Sequence, residues 1–195
     1  MKVGGTPMRS IALEPDGWAV RIIDQRRLPH AFVTVRLERP EDAARAIREM
    51  WVRGAPLIGA TAAYGLALAL RDKPDDATLE ETAATLLATR PTAVNLRWAL
   101  DDMTARLRPL PPAERAAAAY ARAGEICDED VAINAAIGEH GLGLIRETWR
   151  SKGDDRPVEV LTHCNAGWLA TVDWGTALAP IYRAHDEGIP VHVWV

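Results

Sequence analysis

The residues Leu161-Thr162-His163-Cys164-Asn165-Ala166-Gly167 follow directly on the apolar run Val158-Glu159-Val160-Leu161 and place a thiol in a small polar turn. A strand that ends in such a turn and leads into a helix carries backbone N–H groups and side chains to the carboxyl edge of a parallel sheet, where α/β proteins build sites. Cys164 is the candidate catalytic residue, because a thiol at the amino end of a helix loses its proton more readily and becomes nucleophilic. An inert, buried cysteine is the competing reading. His163 adjoins it, but neighbours in an extended chain point to opposite sides, so His163 is expected to be a hydrogen-bonded structural residue rather than its partner. Cys127, inside a helix-like region, is expected in packing.

A second chemistry is anion binding. Arg53-Gly54-Ala55-Pro56 lies between two helix-like stretches, so a guanidinium, a glycine permitting close approach and the free N–H groups of a helix start converge, which suits a phosphate. The same residues also fit an ordinary interhelix turn with a solvated arginine and Pro56 in the first helical turn. Arg90-Pro91-Thr92-Ala93-Val94-Asn95-Leu96 repeats the theme, with Thr92 or Asn95 near a helix start, and alone it equally fits a cap. The two cysteines match neither a disulfide scaffold nor a zinc site, and no metal or cofactor is expected.

The elements that must position these residues fall into two patterns. Ile11–Leu13, Trp18–Ile23 and Phe32–Leu37 read as strands of a small antiparallel meander, the first two joined by Glu14-Pro15-Asp16-Gly17. Helix-like segments follow at 40–50, 55–70, 78–88, 93–107 and 112–150, the last with a possible break near Gly138 or Gly141. Thr78 with Glu81 forms a capping-box pattern that predicts a helix start at Thr78. The polar stretch Ser151–Pro157 then precedes strand, turn, helix (Asp173–Glu187) and strand (Ile189–Val195), so a domain boundary is expected near 150, dividing the chain into 1–150 and 151–195. One β-α-β unit cannot cover both faces of a sheet, and the chain is expected to be the front part of a longer protein.

Bulk composition narrows the classes. With 195 residues, 48% hydrophobic and 26% charged, the chain can bury a substantial core of one or two domains. A net charge of -4 argues against nucleic-acid binding by bulk electrostatics. The opening residues Met1-Lys2-Val3-Gly4-Gly5 have no apolar core of signal-peptide length, and the apolar stretch Ala55–Leu70 ends at Arg71-Asp72-Lys73, so no membrane segment is expected and a cytoplasmic location is.

Taken together, Arg53-Gly54-Ala55-Pro56-Leu57-Ile58-Gly59, Arg90-Pro91-Thr92-Ala93-Val94-Asn95-Leu96 and Thr162-His163-Cys164-Asn165-Ala166-Gly167, in this order and spacing, closely resemble the S-methyl-5-thioribose-1-phosphate isomerase family of methionine salvage. The resemblance covers essentially the whole chain, and the family it points to shares its fold with regulatory subunits of the translation-initiation nucleotide exchange factor and with ribose-1,5-bisphosphate isomerase. It implies an α/β protein: a β-meander and helical amino-terminal domain, then the first β-α-β unit of a Rossmann-like domain. It implies a sugar-phosphate substrate, a homodimer when full length, Arg53, Gly54, Ala55 and Arg90 as phosphate-binding residues, and Cys164 at the reacting carbons. The family's further glutamine, Asn-Lys pair and catalytic aspartate lie beyond the strand that here ends at Val195, so the 195-residue chain alone is expected to be inactive.

The implied chemistry explains the residue types. A sugar 1-phosphate has its anomeric carbon blocked and cannot open to a free aldehyde, so ring opening needs acid assistance at the ring oxygen. A hydrogen then passes from C2 to C1, as a proton through an enolate-like ester or as a hydride toward a cationic C1. Cys164 serves the first route as acid/base and the second as a stabiliser, while the arginines hold the phosphate. A 5-deoxyribose 1-phosphate or ribose-1,5-bisphosphate isomerase, a non-catalytic subunit of the same fold, and an unrelated thiol enzyme pairing Cys164 with His163 or His192 are the alternatives.

Overall fold

The structure is a computed structural model that describes residues 1–153 and 156–195; Asp154 and Asp155 of the expected interdomain stretch lie outside the described residues. A short hairpin, β1 (Lys2–Val3) and β2 (Thr6–Pro7), precedes the meander of β3 (Ile11–Leu13), β4 (Val20–Ile23) and β5 (Thr34–Leu37). The hairpin was not expected; its signal is Gly4-Gly5, both with positive φ, at the turn. The meander is antiparallel, with Ile11 opposite Ile22 and Ile22 opposite Val35, and it buries Ile11, Val20, Ile22 and Leu37 against the helices.

Those helices are α1 (Pro40–Arg48), α2 (Ala55–Asp72), α3 (Asp76–Leu87), α4 (Val94–Leu107) and α5 (Pro112–Lys152). A helix that is apolar all round must be enclosed, and every residue of α2 from Leu57 to Leu70 is buried, with α1, α3, α4 and α5 packed round it. Its small residues set the approach: a Cβ at Gly59 would lie 2.9 Å from the Asn95 carbonyl oxygen, which brings the start of α4 against the start of α2. α3 begins two residues before the expected start, because the Asp75 carboxylate accepts from the Thr78 N–H at 2.8 Å and takes the capping role assigned to Thr78.

The helix α5 runs unbroken for 41 residues. Gly138 and Gly141 do not interrupt it; they admit the start of α6 (Ala179–Asp186), since a Cβ at Gly141 would lie 2.4 Å from Pro180 Cγ. Arg122 on α5 is buried and donates to Asp102 on α4 at 2.6 Å and to Glu129 at 2.5 and 3.2 Å. Burial raises the Asp102 pKa, and the bonds from Arg122 and Arg106 outweigh it and hold this carboxyl below its ordinary value. Arg122→Ala is expected to destabilise the fold by about 2 kcal/mol in urea denaturation, less than a fully buried pair because Glu129 and Glu125, which also accepts from Arg122 at 3.1 Å, keep solvent contact. Because the Asp102 pKa is depressed, its share of this stabilisation is present above the ordinary aspartate range and is lost as pH falls through the lower folded value.

Beyond α5, β6 (Val158–Leu161) pairs in parallel with β7 (Val191–Trp194), Val158 opposite Val191, with α6 in the crossover. α6 is shorter than the expected Asp173–Glu187. Trp174 and Gly175 have φ of 69° and 85°, outside helical backbone, and a Cβ at Gly175 would lie 2.3 Å from the Gly167 carbonyl carbon, so residues 173–178 fold back on the loop instead. Two buried clusters result. The larger joins the meander and helices and includes Val172; the smaller joins Leu142, Ile145, Val158, Ala184 and Ile189, drawing on α5 upstream of the boundary expected near 150.

Candidate functional site

The three motif segments meet at one cavity of about 620 Å³. Arg53, Gly54 and Ala55 enter from the turn before α2, Arg90, Thr92 and Asn95 from the connection into α4, and Cys164, Asn165, Ala170, Thr171 and Thr176 from the loop after β6. All five expected substrate and catalytic residues therefore line the same space. Arg53 is exposed and Arg90 half-buried, and among the described residues neither guanidinium has a carboxylate or hydrogen-bond partner, whereas those of Arg26, Arg36, Arg106, Arg122 and Arg146 are all paired. Two unneutralised guanidinia beside the first-turn N–H groups of an 18-residue helix form an anion-attracting wall.

Gly54 makes that wall possible. It caps α2 with φ 94° and ψ 139°, a region open mainly to glycine. A Cβ there would lie 2.4 Å from both the Cα and the carbonyl oxygen of Ala170, so the loop after β6 presses directly on the Arg53-Gly54 backbone.

Cys164 is exposed, with φ 69°, in an irregular loop rather than at the amino end of an α-helix. The expected helix start is displaced because the loop closes on itself: Leu178 N–H and the Thr176 hydroxyl donate to the Ala166 carbonyl at 3.3 and 3.4 Å, and only a 3-10 turn at Trp168–Ala170 intervenes. The helix-dipole argument for this thiol does not hold; its place on the cavity wall does. His163 is exposed and makes no hydrogen bond among the described residues, contrary to the structural role expected of it. His192 contacts Glu159 at 2.8 Å, so neither histidine is engaged with Cys164. Cys127 is buried beside Tyr64 in the larger cluster, and burial pushes its thiol up to about 12.

The loop wall is fastened from several directions that sequence reasoning missed. Gln25 Nε2 donates to the Leu169 carbonyl at 2.7 Å, Ser10 N–H to the Val172 carbonyl at 3.0 Å, and Val172 N–H to the Asp130 carboxylate at 2.7 Å. Burial raises the Asp130 pKa and the nearby Asp173 charge adds to it, against the lowering effect of the bonds from Val172 and Asn134. The one signal for this support in the sequence is the spacing of Asp130 and Asn134, which puts two polar side chains one helical turn apart on the same face of α5. Among the described residues no group of three or more His, Cys, Asp or Glu is placed to hold a metal ion, and no helix is long and apolar enough to cross a membrane.

A family model described as the Initiation factor 2 subunit family matches residues 51–195. Curated relatives named methylthioribose-1-phosphate isomerase include those of Paramagnetospirillum magneticum, 65% identical, and Rhodospirillum rubrum, 62% identical; each alignment covers 100% of this chain and 53% or 51% of the relative. The chain thus spans about half the length of the curated relatives it matches. Among solved structures, a 5-methylthioribose 1-phosphate isomerase from Pyrococcus horikoshii is similar at a TM-score of 0.82 and 34% identity, over 97% of this chain and 52% of that one. The delta subunit of translation initiation factor eIF-2B from A. fulgidus is similar at 0.79 and 36% identity, over 96% of this chain and 54% of that one. With the matched family model spanning the α2 turn, the Arg90 segment and the Cys164 loop that build the cavity, the chain belongs to the Initiation factor 2 subunit family.

Proposed function

We propose that the cavity binds S-methyl-5-thioribose 1-phosphate and that the whole protein converts it to the corresponding ribulose 1-phosphate. The observation that carries this reading is the pair of guanidinia of Arg53 and Arg90, unpartnered among the described residues, lining the same cavity as an exposed thiol. The guanidinia and the α2 start bind the phosphate dianion, which fixes C1 and C2 of the sugar near Cys164. There the thiol exchanges a proton with the reacting carbons or stabilises the cation formed on ring opening. In the same reading β6-α6-β7 begins a Rossmann-like sheet, residues 1–150 and 151–195 fall to two domains, and the full-length protein is a cytoplasmic homodimer that takes neither nucleic acid nor membrane as partner. A 5-deoxyribose 1-phosphate differs only at the substituent on C5 and is the runner-up substrate.

The reading is tested by titrating the 195-residue chain with the methylthio sugar phosphate in a calorimeter. Wild type is expected to bind, and Arg53→Gln and Arg90→Gln each to weaken binding by about tenfold or more, the worth of a charge-assisted hydrogen bond. Similarity to the eIF-2B delta subunit supports a second reading, a non-catalytic subunit, under which no pentose 1-phosphate raises the melting temperature. Absence of binding, or equal affinity in both arginine variants, overturns the isomerase reading.

A further inference from the structure

The cavity wall formed by Ala170 and Thr171 is held by a device outside the site. Asp130 stands on α5, and its Oδ2 accepts the Val172 N–H at 2.7 Å. One helical turn on, Asn134 Nδ2 donates to Asp130 Oδ1 at 3.0 Å and to the Asp130 carbonyl at 2.9 Å. Asn134 is 1% exposed, and its Oδ1 has no partner among the described residues. An orphaned buried acceptor costs about 1–3 kcal/mol, so the amide is not placed for its own stability; it is turned to face the carboxylate. From the opposite side Ser10 donates its N–H to the Val172 carbonyl and its hydroxyl to the Thr171 carbonyl. Ser10, Thr171 and Val172 are all fully buried, so the backbone here is bonded on both edges and water does not compete. The next residue back, Ala170, is the one that lies against Gly54.

We propose that Asp130, oriented by Asn134, is a positioning residue: by holding the Val172 N–H it sets the 170–172 segment against the Arg53-Gly54 turn and so fixes the width of the cavity. Its ligand arm rests on the sugar-phosphate reading; its backbone arm does not. Asp130 acts through the loop and is not assigned contact with substrate. An asparagine at 130 keeps an acceptor for Val172, but its new N–H₂ gains Asn134 Oδ1 as acceptor only if the Asn134 amide turns over and gives up its bond to the residue-130 carbonyl, so the rescue is partial. An alanine keeps neither.

The test compares amide hydrogen exchange and binding of S-methyl-5-thioribose 1-phosphate in wild type, Asp130→Asn, Asp130→Ala and Asn134→Ala. The Asp24 N–H, bonded to the Val33 carbonyl in the meander, serves as an internal reference. Exchange at Val172 is expected to rise by about tenfold or more in Asp130→Ala and by only about threefold in Asp130→Asn, with Asp24 unchanged in both. The dissociation constant, read well below the melting temperature, is expected to rise about tenfold in Asp130→Ala and to be partly restored in Asp130→Asn. Should Asp130→Ala not fold, Asn134→Ala decides, with faster exchange confined to Val172 expected. Unchanged protection at Val172, or equal acceleration at Val172 and Asp24, overturns the proposal whatever the ligand does. Failure of wild type to bind the sugar phosphate overturns the functional reading alone and leaves exchange at Val172 to judge Asp130.

Discussion

Iodoacetamide added to the folded chain at neutral pH is expected to modify Cys164 at least about a hundredfold faster than Cys127, because the thiolate is the attacking form and access is required. Cys127 is 3% exposed among apolar neighbours, and a thiol pushed up to about 12 is thiolate to only about one part in 10⁵ at pH 7. Cys164 is open to solvent on the cavity wall. Peptide mass spectrometry over a time course reads the ratio, and addition of the sugar phosphate is expected to slow the Cys164 reaction alone. In the whole protein Cys164→Ala is expected to remove most turnover, while Cys127→Ala leaves it nearly intact. Similar alkylation rates, or similar losses in the two variants, would assign the chemistry to the wrong cysteine.

The second large effect belongs to Gly54. Two costs add when a methyl group is placed there: backbone at φ 94° that alanine rarely adopts, about 1–3 kcal/mol, and overlap with the Ala170 backbone, about 1–3 kcal/mol more. Gly54→Ala is expected to lower stability by about 3 kcal/mol in urea denaturation and to abolish sugar-phosphate binding, since the loop must retreat from the arginines. Gly17→Ala is the control. Its φ of 81° carries the conformational cost, but nothing lies within 4 Å of the added Cβ, so a loss of about 1 kcal/mol with normal binding is expected. Equal losses at both glycines would remove the close approach as the reason for Gly54.

The helices were readable because their apolar spacing and their packing agree; α2 shows this most plainly, with a run of small and aliphatic residues broken by Tyr64 and enclosed on every side. Apart from the β1–β2 hairpin and the start of α3, which local turn and cap residues decide, the differences lie where a tertiary contact decided a local choice. The break expected in α5 is absent because Gly138 and Gly141 are there for the approach of Ala179 and Pro180, which no local pattern reveals. The helix expected from Asp173 starts late because Gly175 is pressed on Gly167, and the same fold-back takes Cys164 off any helix end. Of the candidate site, local pattern left Arg53, Gly54, Ala55, Arg90 and Cys164 each with a competing reading, and it was the family resemblance that implied them together as one site. Ser10 and Gln25 could not be named, because each supports the loop through a hydrogen bond to its backbone, and Asp130 shows only through its spacing to Asn134.

The cavity joins segments that are far apart along the chain: Ser10 reaches across 161 residues to Thr171, and Gln25 across 144 to Leu169. On a ribosome adding about 5–20 residues per second, the meander and the turn before α2 emerge many seconds before the loop that completes them. Through that interval β3 holds Ser10 without its acceptors and the Arg53-Gly54 turn faces water, while α1 to α4 already have neighbours to pack on. A ligand for this cavity can meet a nascent chain only after synthesis has passed Thr176, so a chain stalled earlier carries the arginines and no complete pocket.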